Sequence, residues 1–140
     1  MNKITMAELS GLAGTPEQDI HNWLKRLDLA TDYGKTKTGP ARVGRFTRQN
    51  ALEISLIARL VETGMTPSAA AARVHRLFAQ LQDKQPGGYV LIVGDNVICS
   101  DRPPSAALLR ALDVAGVVVN LGKLSDEIDD FFDTARDENG

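Results

Sequence analysis

The stretch Thr15–Leu29, TPEQDIHNWLKRLDL, has the pattern of an amphipathic helix. Thr15 is a good N-cap, and Gln18, three residues later, can complete a capping box with it. Pro16 suits the first helical position because its missing N–H would have no partner there. The apolar residues recur at i, i+3, i+4 and i+7, which directs one face to a core: Ile20, Trp23, Leu24 and Leu27. The opposite face carries polar side chains, none of them acidic: Gln18, His21, Asn22, Lys25 and Arg26. Such a face is either an ordinary solvated surface or a surface that binds a partner.

Another helix is predicted directly before this one, at Thr5–Ala13. Thr5 and Glu8 match the T-x-x-E capping box, and Gly14 supplies a tight turn between the two helices. The order of cap, helix, glycine turn, cap and helix within the first thirty residues is that of a helix-turn-helix. The second helix of that motif enters a groove of DNA, which favours a binding role for its polar face.

A basic loop follows the two helices. The stretch Asp32–Gly44, DYGKTKTGPARVG, has the glycines and the proline of a loop or a short β-hairpin. Its cations and the arginine that follows can lie along a phosphate backbone and release counterions: Lys35, Lys37, Arg42 and Arg45. A disordered basic loop is the alternative.

The charge is distributed unevenly along the chain. Residues 1–80 carry eleven Lys and Arg against seven Asp and Glu, a net +4, whereas residues 81–140 carry five against eleven, a net −6. Over Lys25–Arg48 the excess is +5, from seven basic and two acidic residues. This distribution suits a polyanionic partner for the first half and a role away from that partner for the second.

The composition argues against several classes of protein. The 140 residues suit one domain or two small ones, and no apolar run approaches the roughly 20 residues of a membrane span. Cys99 is the single cysteine, so neither an intrachain disulfide nor a cysteine metal cluster is expected. With two histidines and no evident nucleophile–base arrangement, we expect no enzyme and no cofactor. A cytoplasmic, nucleoid-associated protein is the expectation.

Two longer helices are predicted after the loop. Thr47–Thr63, with Thr47 as its N-cap, is apolar on two sides, which is typical of a helix clamped between partners. Gly64 ends it, and Thr66-Pro67 starts the next helix. The buried face of that helix is predicted to be Ala70, Val74, Leu77, Phe78 and Leu81.

The second half is predicted to be a β-β-α-β-α unit after a Pro/Gly boundary at Gln82–Gly88. The predicted elements are a hairpin of Tyr89–Val93 and Val97–Ser100, a helix Ser105–Asp113, a strand Val117–Asn120 and a last helix capped by Ser125. Acidic residues are expected in the first turns of that last helix, where the helix dipole favours them: Asp126, Glu127, Asp129 and Asp130. A metal site is the alternative for this acidic group.

The predicted fold is mainly α, of the α+β class. A winged helix-turn-helix DNA-binding domain at 1–82 is followed by a small β-β-α-β-α domain at 88–135 and a disordered tail at 136–140. The edges of a three-stranded sheet invite pairing with a second copy, so we expect residues 88–135 to form a homodimer.

The order of elements resembles the DNA-binding domain of the MerR-type regulators. The similar stretches are MAELSGLAGTPEQDIHNWLKRLDL and GPARVGRFTRQNALEISLIARLVETGMTPSAA, and together they lie in Ile4–Val74, about half the chain. The resemblance implies a recognition helix that contacts DNA through Gln18, His21 and Asn22. It also implies a wing that contacts DNA through Arg42 and Arg45.

The function predicted from these features is that of a sequence-specific transcriptional regulator that binds double-stranded DNA as a homodimer on an inverted repeat. Two alternatives stay open. One is an architectural or recombination accessory factor of the excisionase kind, which uses the same winged helix. The other is a module for protein interaction or for sensing a small ligand.

Overall fold

The computed structural model describes residues 3–33, 45–82, 84, 87–111 and 116–139. The helices in this part are α1 Met6–Ala13, α2 Glu17–Arg26, α3 Arg48–Glu62, α4 Pro67–Leu81, α5 Ala106–Ala111 and α6 Leu121–Asn139. The strands are β1 Tyr89–Val93, β2 Asn96–Ser100 and β3 Gly116–Asn120. The predicted class, mainly α with a small sheet, and the predicted order of elements are therefore confirmed.

Local capping starts three of the helices as predicted. The Thr5 hydroxyl accepts the backbone N–H of Glu8, and the Glu8 carboxylate accepts the N–H of Thr5. Thr47 forms the same reciprocal pair with Asn50 at the start of α3. Thr66 caps α4, with Pro67 in the first turn. These pairs lie three residues apart, so the local chain suffices to place them.

The capping box predicted for α2 is wrong. The N-cap is Pro16, and no side chain caps this helix. The reason is that Thr15 is held by the end of α1: its N–H donates to the Ser10 carbonyl at 3.1 Å, and its carbonyl accepts the Ser10 hydroxyl at 2.6 Å. Gly14 between the helices has the left-handed φ of 66° that this turn requires.

α3 lies at the centre of the molecule. It packs against α1, α4 and α6, and its residues from Asn50 to Ala58 are all buried. This confirms the prediction of a helix between partners. One continuous apolar core includes residues of α1 to α4, the sheet and α6.

The sheet has the strand order β2-β1-β3, with both pairs antiparallel. The predicted hairpin is confirmed, with a turn at Gly94 and Asp95. Val90 and Ile92 of the central strand enter the core. Leu91 points to the opposite face, in register with Ile98 on β2 and Val118 on β3.

The start of α6 differs from the prediction. The helix begins at Leu121 directly after β3, and the Asn120 side chain accepts the Lys123 N–H at 3.0 Å, so Asn120 takes the capping role. Ser125, the predicted cap, is a buried residue within the helix. α6 extends to Asn139, whereas a disordered tail was predicted from residue 136.

The acidic residues of α6 also have a different role from the one predicted. None lies in the first turn, so the helix dipole does not explain them. Glu127 pairs with Arg59 of α3 at 3.4 Å, and Asp129 pairs with Arg48 of α3. Within the described residues no group of three or more acidic, His or Cys side chains is arranged to hold a metal ion. The same part of the chain contains no helix that is long and apolar enough to cross a membrane.

Candidate nucleic-acid interface

α2 separates a buried face from a polar one, as its pattern predicts. Ile20, Trp23 and Leu24 are buried. Gln18, Asn22 and Lys25 stand at i, i+4 and i+7, so they lie in one row, which we call the outer face of α2. Gln18 and Lys25 are exposed and Asn22 is half-buried.

The two amides of the outer face contact each other. The Gln18 Nε2 donates to the Asn22 Oδ1 at 3.4 Å, a long hydrogen bond in an exposed position. A bond of this kind between exposed groups has a small net free energy, because water competes for both partners. Both amides can therefore turn to an outside partner at little cost.

His21 and Arg26 flank the outer face. Arg26 is exposed in the last turn of α2, whereas His21 is half-buried. The His21 Nδ1 is buried and has no hydrogen-bond partner among the described residues. The Nε2 is therefore the ring nitrogen that an outside partner can reach. The described structure thus brings Gln18 and Asn22 together and leaves His21 less accessible than the sequence pattern predicts.

A buried carboxylate that the sequence pattern did not predict lies behind this surface. Glu53 of α3 is only 1% exposed. Its Oε1 accepts the Thr31 N–H at 3.2 Å, the Thr31 hydroxyl at 2.6 Å and the Tyr33 hydroxyl at 2.7 Å. Its Oε2 accepts the Ala30 N–H. Glu53 therefore anchors the segment that leaves α2, Ala30–Tyr33, to the central helix.

Asn50, one turn before Glu53, holds the same segment. Its Nδ2 donates to the Thr31 hydroxyl at 3.1 Å and to the Asp32 carbonyl at 3.2 Å, while its Oδ1 caps α3. One signal in the sequence could have revealed these contacts, since Glu53 lies between Leu52 and Ile54 in a helix predicted to be apolar on two sides. An acid in that position requires partners if it is buried.

The two ends of the basic loop meet each other. The rings of Tyr33 and Phe46 touch edge to face, with centroids 6.3 Å apart. Phe46 pairs with Ile4 through two backbone hydrogen bonds of 2.8 and 2.9 Å, an isolated antiparallel bridge. Tyr33 and Phe46, the buried residues on either side of the loop, are therefore held next to each other.

The predicted wing residues are only partly described. Arg45 is exposed and directly precedes the buried Phe46. Lys35, Lys37 and Arg42 lie outside the described residues. Among the described residues, no hydrogen bond or ion pair joins Arg45 to α2.

The environment of Tyr33 is electrostatically unusual. Burial raises the pKa of this phenol far above its ordinary range, and the neighbouring Glu53 carboxylate raises the pKa further. Tyr33 is therefore a neutral donor to Glu53 at all physiological pH values.

Comparison with known proteins places these elements in a family. The model of the MerR HTH family regulatory proteins matches residues 4–77, which is more than half of the chain and contains α1 to α3 and most of α4. Comparisons with curated proteins and with solved structures found no match. The matched range has the helix-turn-helix of α1 and α2, the buried residues on either side of the basic loop, and α3 with most of α4. The chain therefore belongs to the MerR HTH family of regulatory proteins, and it is a regulator of transcription that binds double-stranded DNA.

Proposed function

We propose that the protein binds specific sequences of double-stranded DNA by placing the outer face of α2 in the major groove. Gln18 and Asn22 hydrogen-bond to base edges, and the Nε2 of His21 contacts a third position. The observation that carries this proposal is the row of Gln18, Asn22 and Lys25 on a helix whose other face is buried. Side-chain amides of this type make paired hydrogen bonds to adenine in the major groove.

The cationic residues have a different role in this proposal. Lys25 and Arg26 at the end of α2, together with Arg45 and the loop residues Lys35, Lys37 and Arg42, contact phosphates. Phosphate contacts set the register and the affinity and carry no sequence information. Tyr33 and Phe46, the described residues on either side of the loop, are buried and in contact.

The base-reading role is tested with Asn22→Ala. Selection from random DNA first yields the sequence preferred by the wild type. A good paired contact is worth about 1–3 kcal/mol of discrimination, so Asn22→Ala should relax the preference at one position of that sequence. Asn96→Ala removes an exposed amide from β2 and is the matched control. If Asn22→Ala, His21→Ala and Gln18→Ala all keep the wild-type sequence preference, another element reads the bases. If the wild type itself selects no sequence, the architectural alternative is favoured.

We also propose that the protein acts as a homodimer on an inverted repeat, because a single helix-turn-helix covers too few base pairs for good discrimination. The face of the sheet away from the core supports this. Ile98 is 51% exposed and Val118 is 42% exposed, and they flank Leu91 in one row across the three strands. Strands β2 and β3 have no further strand partner within the described residues.

The dimer is tested by sedimentation of the full chain at about micromolar concentration, where specific dimers of ordinary interface size are assembled. The wild type should sediment as a dimer and bind an inverted repeat more tightly than one half-site. Ile98→Lys should sediment as a monomer and retain the half-site affinity, whereas Ala72→Lys, an exposed change on α4, should leave the dimer intact. A monomeric wild type would remove this part of the proposal and leave the assignment of α2 unaffected.

A further inference from the structure

A cavity of about 330 Å³ lies where α3, α4 and α6 meet. Its size is at the small end of the range found for small-molecule sites. The apolar part of its wall consists of Leu52 from α3, Phe78 and Leu81 from α4, and Ile128 from α6. Phe78 and Leu81 are only partly buried in the present structure, so apolar surface is still available there.

A small polar side chain also lines the cavity. Ser125 of α6 is 8% exposed, and its hydroxyl forms no hydrogen bond with a residue in the described ranges. The hydroxyl oxygen itself is not buried from solvent, so water can satisfy it and it sets no requirement for a ligand.

The charges at the mouth of the cavity are predominantly positive. Arg48 and Lys84 contribute two cations, and Asp129 contributes one carboxylate, which already pairs with Arg48. Lys84 has no ion-pair partner in the described part of the chain. A guanidinium has five N–H donors, so Arg48 can keep Asp129 and still donate to a second carboxylate. The net charge of the lining is therefore +1, which selects an anion.

We propose that this cavity binds a small amphiphilic carboxylate, with its apolar body against Phe78 and Leu81 and its carboxylate between Arg48 and Lys84. Such a ligand joins α3 and α4 to α6. It therefore stabilises the folded arrangement of the two halves by mass action. The site is separate from the outer face of α2 and does not depend on how that face reads DNA.

The test uses octanoate and 2-naphthoate as probes and octylammonium as the charge-reversed control, with calorimetric titration of the full chain. Ligands of this size reach affinities of about 0.1–1 mM when most of their atoms are buried. We expect one saturable site for at least one of the carboxylates and none for octylammonium. No saturable binding of either carboxylate at concentrations up to about 10 mM, far above this range, would overturn the proposal.

Two exposed lysines provide matched variants. Lys84→Glu reverses a charge at the mouth of the cavity, and Lys123→Glu makes the same change on α6 outside its lining. Lys84→Glu should weaken carboxylate binding by about fivefold or more, the size expected for reversing one exposed charge, and Lys123→Glu should not. Ser125→Leu, which fills the cavity, should also abolish binding. Equal affinities in Lys84→Glu and the wild type, or equal binding of octanoate and octylammonium, would show unspecific adsorption and refute the site.

Discussion

Replacement of Glu53 by glutamine provides a direct test of the anchor behind the DNA-binding surface. Glutamine has nearly the same shape, but it keeps only one acceptor oxygen and places an NH₂ group where the second oxygen was. In the wild type Oε1 accepts three hydrogen bonds and Oε2 accepts the Ala30 N–H. The substitution therefore places the new side-chain NH₂ group opposite the Ala30 N–H, so that two donors face each other. It also removes the negative charge from the acceptor of the three bonds that Thr31 and Tyr33 donate.

The magnitude follows from these four bonds. An unsatisfied buried N–H costs about 1–3 kcal/mol. Hydrogen bonds to a charged group are worth about 1.5–3 kcal/mol and neutral ones about 1 kcal/mol, so each remaining bond weakens by roughly 0.5–2 kcal/mol. The neutral amide is easier to bury than the carboxylate, which offsets part of this loss. We expect Glu53→Gln to lower the free energy of unfolding by about 2–4 kcal/mol.

The assay is urea unfolding followed by circular dichroism. Glu62→Gln, an exposed change on the same helix, is the control and should fall within about 0.5 kcal/mol of the wild type. Thr31→Ala completes a double-mutant cycle. It removes the hydroxyl that donates to the Glu53 Oε1 at 2.6 Å, so the two changes should be non-additive by at least about 0.5 kcal/mol. If Glu53→Gln were as mild as Glu62→Gln, or strictly additive with Thr31→Ala, the carboxylate would not hold the segment as described.

Two further predictions concern the same half of the molecule. Because burial and the Glu53 carboxylate raise the pKa of Tyr33, only the unfolded chain releases this proton near the ordinary value of about 10, and the wild-type free energy of unfolding should fall as the pH rises beyond it. At neutral pH, Tyr33→Phe should have a free energy of unfolding about 1–3 kcal/mol below that of the wild type. In urea titrations above pH 10, its free energy of unfolding should decline less with pH than that of the wild type. A decline as steep as that of the wild type would contradict this account. Trp23 is 7% exposed in the core, so Trp23→Ala should cost about 3–5 kcal/mol in the same assay. A stable Trp23→Ala protein that no longer binds DNA would instead make Trp23 a contact residue.

Several elements of this fold could be predicted from the sequence because the interactions that form them are local. The caps at Thr5, Thr47 and Thr66 each involve a residue three positions away, and the β1–β2 hairpin forms around a short turn. The buried face of α2 follows from the helical period alone. The family match over residues 4–77 agrees with the resemblance that these elements carry.

Other features depend on contacts between distant residues, and no local pattern determines them. Glu53 meets Ala30 and Thr31 across more than twenty positions, and Arg59 meets Glu127 across sixty-eight. Thr15 has an excellent capping sequence, yet it is held by Ser10 at the end of α1. Its local preference was overridden by a competing set of hydrogen bonds.

The physical reason is that helix capping and helical period depend on neighbours along the chain, whereas the partner of a buried polar group depends on which elements pack together. The sequence by itself determined the helix-turn-helix, the class of fold and the polar face of α2. Only the tertiary structure decided that α6 packs on α3, that its acids pair with Arg48 and Arg59, and that these helices enclose a cavity with α4. Residues far apart along the chain meet only when the helices that carry them pack together, so the partner of each such residue is determined by the folded structure.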